Sequence, residues 1–219
     1  MQHPALRLLA ASMLVVALLA APSATASPRT TYQSHLEATP QAACELGQRV
    51  VDTGDHTGLP FVIVHKRSGL ALVYHASGSL AGASSVLLGL TIGDQAAAGV
   101  GERTRDGTLR RSDLTTPAGR FESEPGRNLD GEAIVWIDYA SALAIHRLRH
   151  GPNRAHRALR LSSVGGGDKR ASAGCVVVPE AFYDRVIGPV LGQGRGIVYV
   201  MPESSSWRDL WPHLADRSP

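Results

Sequence analysis

The sequence predicts a mostly β domain with a few helices (a β-rich α+β fold), and two observations support this prediction. Short runs rich in Val, Ile and aromatic residues recur along the chain, and Gly, Pro, Asn and Asp separate them. Only two stretches show a clear helical spacing of apolar residues, one before these runs and one between the last two. The 219 residues show no internal repeat of the length typical of repeat proteins, so we expect one domain with its own hydrophobic core.

The first 26 residues have the layout of a secretory signal. The early charge at Arg7 precedes 13 apolar residues, 8–20, and Ala24-Thr25-Ala26 then offers a cleavage site between small residues. A membrane anchor is the weaker interpretation, because about 20 apolar residues are needed to span a bilayer. We therefore predict a signal peptide over residues 1–26, export to the periplasm or cell envelope, and no membrane span after cleavage.

The next segment, residues 27–58, is predicted to be an N-terminal extension that contains a helix over residues 39–51. Pro40 lies near the expected start of this helix. Apolar residues then recur at helical spacing, at Ala43, Leu46 and Val50. Cys44 lies within this helix. It could form a disulfide with the second cysteine, Cys175, but its place in the helix favours a small buried residue.

Residues 59–202 contain the strand-like runs and are predicted to form the main domain. The runs cover residues 61–64, 70–75, 85–92, 119–122, 133–138, 143–148, 175–178 and 197–201. The first two are expected to form a hairpin, and a helix is expected to begin at Pro179. Residues 96–115 and 152–169 are rich in Gly and Arg and are predicted to be loops. A C-terminal tail, residues 203–219, follows.

The composition limits the classes of function. The chain has 22 Lys and Arg against 19 Asp and Glu, an excess too small to indicate binding to nucleic acid. It shows no metal-binding spacing of His and Cys, and we predict no metal and no cofactor. Because Cys44 and Cys175 are the only cysteines, the sequence offers few thiols for structural disulfides or for a cysteine metal site. A reactive thiol is the leading interpretation.

Cys175 and His146 are the candidate catalytic residues. A free thiol is only a few per cent ionised near neutral pH, so it needs a base or a positive environment. Alternation along the strand that contains His146 places it on one face with Ala144 and Leu148, and an imidazole there can take the thiol proton. The alternative is that His146 is only a hydrogen-bonded strand residue.

The residues before the thiol are small. Ala173 and Gly174 leave the backbone near Cys175 uncovered, so its N–H groups could stabilise an oxyanion. The alternative is that Gly174 only makes a turn into the strand.

Three segments in this order resemble the catalytic domain of L,D-transpeptidases, also called the YkuD domain. Thr116-Pro117-Ala118-Gly119-Arg120-Phe121 is similar to its Thr-Pro-x-Gly-x-Phe segment, and Ala144-Ile145-His146 resembles the strand that ends in its histidine. The run Ser172-Ala173-Gly174-Cys175, continuing to Pro179 and to the closing strand, resembles its cysteine motif. The resemblance covers about residues 60–202.

The resemblance implies a β-sandwich or barrel and a cell-envelope enzyme that acts on peptidoglycan stem peptides. Cys175 would be the nucleophile and His146 the base, while Gly174 and Cys175 would supply the oxyanion donor and Ser172 would position the loop. The thioester would pass to a stem-peptide amine, a protein amine or water. A thiol hydrolase of the wall and a catalytically weak envelope-binding domain are the alternatives. The oligomeric state stays open.

The chain departs from the family pattern near the site. Val177 stands where the family usually has Arg or Asn, and 29 residues separate His146 from Cys175, more than is usual. His150 is the second candidate base and His156 the third. Arginines cluster in this long stretch, at Arg147, Arg149, Arg154, Arg157 and Arg160. They form either a carboxylate clamp, with Arg147 and Arg149 as candidate substrate-binding residues, or a solvated surface loop.

Overall fold

The computed structural model describes residues 40–163 and 169–215. The predicted signal peptide, the first part of the predicted extension and the last four residues of the tail lie outside the described residues. Within the described ranges, no helix is long and apolar enough to cross a membrane.

Ten strands are present in the described residues, and eight of them form one sheet. They are β1 (Phe61–His65), β2 (Leu70–Tyr74), β3 (Leu80–Ser85), β4 (Leu88–Gly89), β5 (Gly119–Arg127), β6 (Ala133–Asp138), β7 (Leu143–Arg147), β8 (Arg170–Ser172), β9 (Val176–Val178) and β10 (Gly196–Val200). The order in the large sheet is β3-β2-β1-β10-β5-β6-β7-β9, and β4 pairs with β8. β1 with β10 and β7 with β9 are parallel, and the other neighbours in the large sheet are antiparallel.

The large sheet curves until its two ends almost meet. Leu87, just after β3, exchanges two backbone hydrogen bonds of 2.8 and 2.9 Å with Val177 of β9. The result is a nearly closed, barrel-like sheet, which confirms the prediction of a mostly β fold with some helices. The strand after Cys175 therefore has a partner on both sides.

Helices cover the sheet. They are α1 (Pro40–Thr53), α2 (Val100–Arg105), α3 (Arg154–Ser162), α4 (residues 180–191, with a π-helical middle at Tyr183–Ile187), α5 (Trp207–Leu210) and α6 (Pro212–Ala215). The largest core lies on one side of the sheet, where α4 adds Tyr183, Ile187 and Leu191 to β-branched residues of the strands. The residues between them in each strand point to the opposite side of the sheet, because side chains alternate along a β-strand.

A second core joins the predicted extension and the predicted tail to the opposite face of the sheet. Leu46 of α1 and Trp207 of α5 are both buried there, and the Phe61 and Tyr74 rings stack at 4.5 Å between centroids. The Nε–H of Arg49 donates to the carbonyl of Leu214 at 2.8 Å. Both segments are thus packed on the sheet that carries the candidate site.

Four local predictions were wrong. The strand predicted over 85–92 is only β4, while β3 lies earlier, in a small-residue run with little β-propensity. The stretch 152–169 contains helix α3, because its Ala, Leu and Arg residues are good helix formers. Residues 96–115 contain the short helix α2. Cys44 is exposed rather than buried, and both cysteines are free. The first hairpin and the helix after Pro179 are confirmed.

Candidate active site

His146 lies on β7, and Cys175 lies in the loop directly before the parallel neighbour of this strand, β9. The register aligns His146 of β7 with Val177 of β9, and Cys175 comes two residues before Val177. The pairing of β7 with β9 therefore brings the two candidate catalytic residues into one region of the sheet.

The Cys175 thiol rests against the turn between β6 and β7. Its Sγ donates to the carbonyl of Ala142 at 3.5 Å. Burial raises the pKa of the thiol, while the backbone N–H of Ala144 and the guanidinium of Arg149 act in the opposite direction. Ala142 itself has a φ of 53°, in the left-handed region that non-glycine residues rarely adopt. The resting thiol is therefore protonated and held by a strained turn.

The ring of His146 is oriented by its own strand. Its Nδ1 lies 2.8 Å from the carbonyl of Arg147, and because a carbonyl only accepts, Nδ1 carries the hydrogen. In the neutral ring this leaves the lone pair on Nε2. Burial, together with the nearby guanidinium groups of Arg149 and Arg157, lowers the pKa of His146 to about 4. His146 is thus neutral at pH 7, as a general base must be.

The depressed pKa of His146 predicts a loss of stability in acid. The unfolded chain protonates this histidine near its ordinary pKa of 6.5, while the folded chain protonates it only near 4. As far as His146 is concerned, the free energy of unfolding is therefore highest above pH 6.5 and is lower by about 3 kcal/mol at pH 4. Urea unfolding of the wild type and of His146→Gln across this range measures it. An equally steep pH dependence in the variant would contradict the assignment.

Two hydroxyl groups hold the backbone before the thiol. The Ser172 Oγ donates to the carbonyl of Cys175 at 2.6 Å and accepts from the N–H of Gly174 at 3.1 Å. The Thr116 Oγ1 donates to the carbonyl of Gly174 at 2.6 Å and accepts from the N–H of Gly89 at 2.8 Å. Since Ser172 engages the Gly174 N–H, both residues support the loop. The Cys175 N–H is then the better candidate for an oxyanion donor.

Thr116 was missed as a site residue by the sequence interpretation. The available signal was its place in the Thr-Pro-Ala-Gly-Arg-Phe segment, which the resemblance used as a motif without assigning a role to the hydroxyl. Its side chain is fully buried, so its two hydrogen bonds connect three segments, at Gly89, Thr116 and Gly174, in a dry environment.

Replacement of Gly174 by Ala is expected to displace this loop. Gly174 has a φ of 129°, and an added Cβ would lie 3.0 Å from the carbonyl oxygen of Thr115. We expect a loss of about 1–3 kcal/mol in unfolding free energy and slower acylation of Cys175. Gly131→Ala is the matched control, because Gly131 has a φ of 80° but open space around it. It should lose stability only. Acylation of Gly174→Ala at the wild-type rate would contradict the prediction.

A segment that we call the cover segment, residues 94–117, closes over the thiol. Together with the β6–β7 turn and residues 173–175, it encloses a pocket of about 60 Å³. Arg103 and Asp113 pair within the segment at 2.6 Å. Gly101 approaches the turn so closely that an added Cβ would lie 1.9 Å from the carbonyl of Ala140. The space admits a few water molecules, so a substrate must displace part of the cover.

The structure separates the two arginines that were candidate substrate-binding residues. Arg147 pairs with Asp184 at 2.6 Å and lies over the Tyr183 ring, away from the thiol. Arg149 pairs with Glu132 at 3.2 Å and is close enough to shift the pKa values of His146 and Cys175. Arg157, on α3, was predicted to lie in a loop and also acts on His146. His150 and His156 are both exposed.

In the described part of the chain, no group of three or more His, Cys, Asp and Glu side chains is placed to hold a metal ion. The site therefore consists of a thiol, an imidazole, two guanidinium groups, a carboxylate and oriented backbone. Comparisons with family models, curated proteins and solved structures found no match to this chain.

Proposed function

We propose that the protein is an exported cysteine-dependent acyltransferase of the L,D-transpeptidase type that acts on peptidoglycan stem peptides. The observation that supports this proposal is the pairing of β7, which carries His146, with β9, which begins directly after Cys175. The neutral imidazole with its lone pair on Nε2 fits the role of base. The substrate class comes from the resemblance of the sequence motifs.

The chemistry needs only groups of this chain. As substrate enters, Nε2 of His146 takes the thiol proton, and the Cys175 sulfur attacks the carbonyl of the amide that joins the L-centre of the diamino acid in the stem peptide to the following D-amino acid. The Cys175 N–H stabilises the oxyanion. The imidazolium returns the proton to the leaving amine, and a thioester remains. An amine of a second stem peptide then attacks the thioester, loses its proton to Nε2, and releases the thiol.

The acyl acceptor decides between transfer and hydrolysis. An amine that binds in place of the leaving group gives transfer. A wall thiol hydrolase would use the same residues, with water in that position.

The test is incubation of the protein without its signal peptide with purified muropeptides, followed by mass spectrometry of the products. We expect cross-linked or exchanged stems, and hydrolysis products would instead assign the hydrolase. A carbapenem should acylate the wild type and add its mass, and Cys175→Ala should abolish the added mass. The same mass shift in Cys175→Ala would contradict the role of the thiol.

A second candidate function is a catalytically weak envelope-binding domain. The raised pKa of the Cys175 thiol and the lowered pKa of His146 favour the neutral pair over the thiolate–imidazolium pair. If Cys175 reacts with a thiol probe no faster than free cysteine, and muropeptides bind without turnover, this second function is the correct one.

A further inference from the structure

Two guanidinium groups next to His146 lack full compensation of their charge. Arg149 follows β7, and Arg157 lies on α3. Glu132 pairs with Arg149 at 3.2 Å and is the one carboxylate among the charged groups that act on His146. The cluster of Arg149, Arg157 and Glu132 thus carries one net positive charge beside the candidate base.

Part of the Arg157 guanidinium group is buried without a hydrogen-bond partner. Its Nε is solvent-inaccessible and makes no hydrogen bond to the described residues, whereas the Nε of Arg149 lies 3.2 Å from the Glu132 carboxylate. Burial and the like charge of Arg149 together lower the pKa of Arg157. Holding two cations near each other, one of them partly desolvated, is unfavourable unless an anion joins them. The arrangement therefore has the properties of a binding site for an anion.

The packing of α3 holds Arg157 in this position. Ala158 and Leu161 of α3 pack in a small apolar cluster with Leu148 and Val177, and Val177 is the residue aligned with His146. The Nζ of Lys169 donates to carbonyls at the end of α3, with distances of 2.5, 3.1 and 2.6 Å to Arg160, Leu161 and Ser163. A cation at this end also stabilises the helix dipole. The helix is thus fixed at its contact with the site.

We propose that Arg149 and Arg157 form an anion-binding subsite that takes the α-carboxylate of the residue on the leaving side of the scissile amide. The placement rests on the proposed function. His146 must lie beside the leaving nitrogen to return the proton, and the α-carboxyl carbon is two bonds from that nitrogen. Guanidinium groups bind carboxylates through paired hydrogen bonds, which a neutral amide cannot replace. The subsite selects donors whose leaving residue has a free carboxylate.

The test compares N-acetyl-D-alanine with N-acetyl-D-alaninamide, two probes that differ in this one group. Binding is measured by NMR titration of the protein with labelled histidine, in the Cys175→Ala background. The acid should bind at least tenfold more tightly than the amide and raise the pKa of His146. Arg149→Gln and Arg157→Gln should each remove most of this preference, and Arg157→Lys should retain part of it. Arg195→Gln, at an exposed ion pair, is the matched control.

Equal binding of acid and amide, absence of binding, or an unchanged preference in a folded Arg157→Gln protein would overturn the subsite. The outcome is separable from that of the proposed function, because the probes report binding without Cys175. Selective binding with no muropeptide turnover would contradict the transpeptidase and leave the subsite intact. If muropeptides are turned over and Arg157→Gln does not alter this turnover, the transpeptidase proposal stands and the subsite is contradicted.

Discussion

Replacement of His146 by Gln is expected to slow acylation of Cys175 by about 10²–10⁴-fold at pH 7, the usual contribution of a positioned general base. Gln keeps a polar side chain of similar size but cannot take a proton. In the wild type, the lowered pKa of about 4 keeps the ring neutral across the neutral range. The acid limb of the free-enzyme pH–rate profile should therefore fall near pH 4 rather than 6.5.

The measurement is intact-protein mass spectrometry of carbapenem acylation over time and over pH. His150→Gln and His156→Gln are the matched controls, since both histidines are exposed and were the second and third candidate bases. Both should react at the wild-type rate. A large loss in His150→Gln with little loss in His146→Gln would transfer the role of base to His150.

Replacement of Lys66 by Met is expected to destabilise the protein by about 3–5 kcal/mol, because it removes the buried cation that pairs with Asp94 and leaves Glu203 with Arg170 alone. The Lys66 side chain is fully buried, and its Nζ lies 2.6 Å from Asp94 and 3.5 Å from Glu203. The same Nζ donates to the carbonyls of Gly93 and Thr116, at 2.6 and 2.9 Å. One ammonium group thus ties both ends of the cover segment.

The variant should also expose the thiol, so we expect Cys175 to react faster with a thiol reagent. Burial alone would raise the pKa of Asp94, but Lys66 and Ser204 hold it well below its usual range. In the wild type, the stability that the ionised Asp94 carboxylate contributes is present above its ordinary pKa of 3.8 and is lost as the pH falls below that value. Without Lys66, protonation of Asp94 removes the unpaired negative charge. The difference in unfolding free energy between the wild type and the variant should therefore be smaller in acid.

Urea unfolding at pH 7 and pH 4 measures both effects. Arg195→Met is the control, because the Arg195–Glu122 pair is mostly exposed and is expected to contribute less than about 1 kcal/mol. A Lys66→Met protein as stable as this control would show that the buried ion cluster does not hold the cover segment.

The candidate nucleophile and the candidate base could be selected from the sequence because their signals are local. Cys175 is one of two cysteines, and small residues precede it. The alternation around His146 gave its face correctly, since Ile145 lies in the main core while His146 lies on the other side. The apolar strands were equally recognisable, because β-branched residues such as Val62 and Val64 pack directly in that core.

The rest of the site depends on contacts between residues that are distant in the chain. Lys66 meets Thr116 at a separation of 50 residues, and Thr116 meets Gly174 at a separation of 58. No periodicity in the sequence reports such contacts. Arg157 was named in the arginine cluster but was placed in a loop and not singled out. The helix that carries it packs against Val177, a residue that the sequence analysis treated only as a departure from the family pattern.

The parallel pairing of β1 with β10 has a consequence for the order in which the protein acquires its chemistry. Phe61 aligns with Ile197, so the sheet cannot be completed until nearly the whole chain has been synthesised. Such non-local pairing makes folding slow compared with helical proteins. If the chain is exported unfolded, the thiol and imidazole meet only after translocation, and the compartment of synthesis never contains an assembled nucleophile.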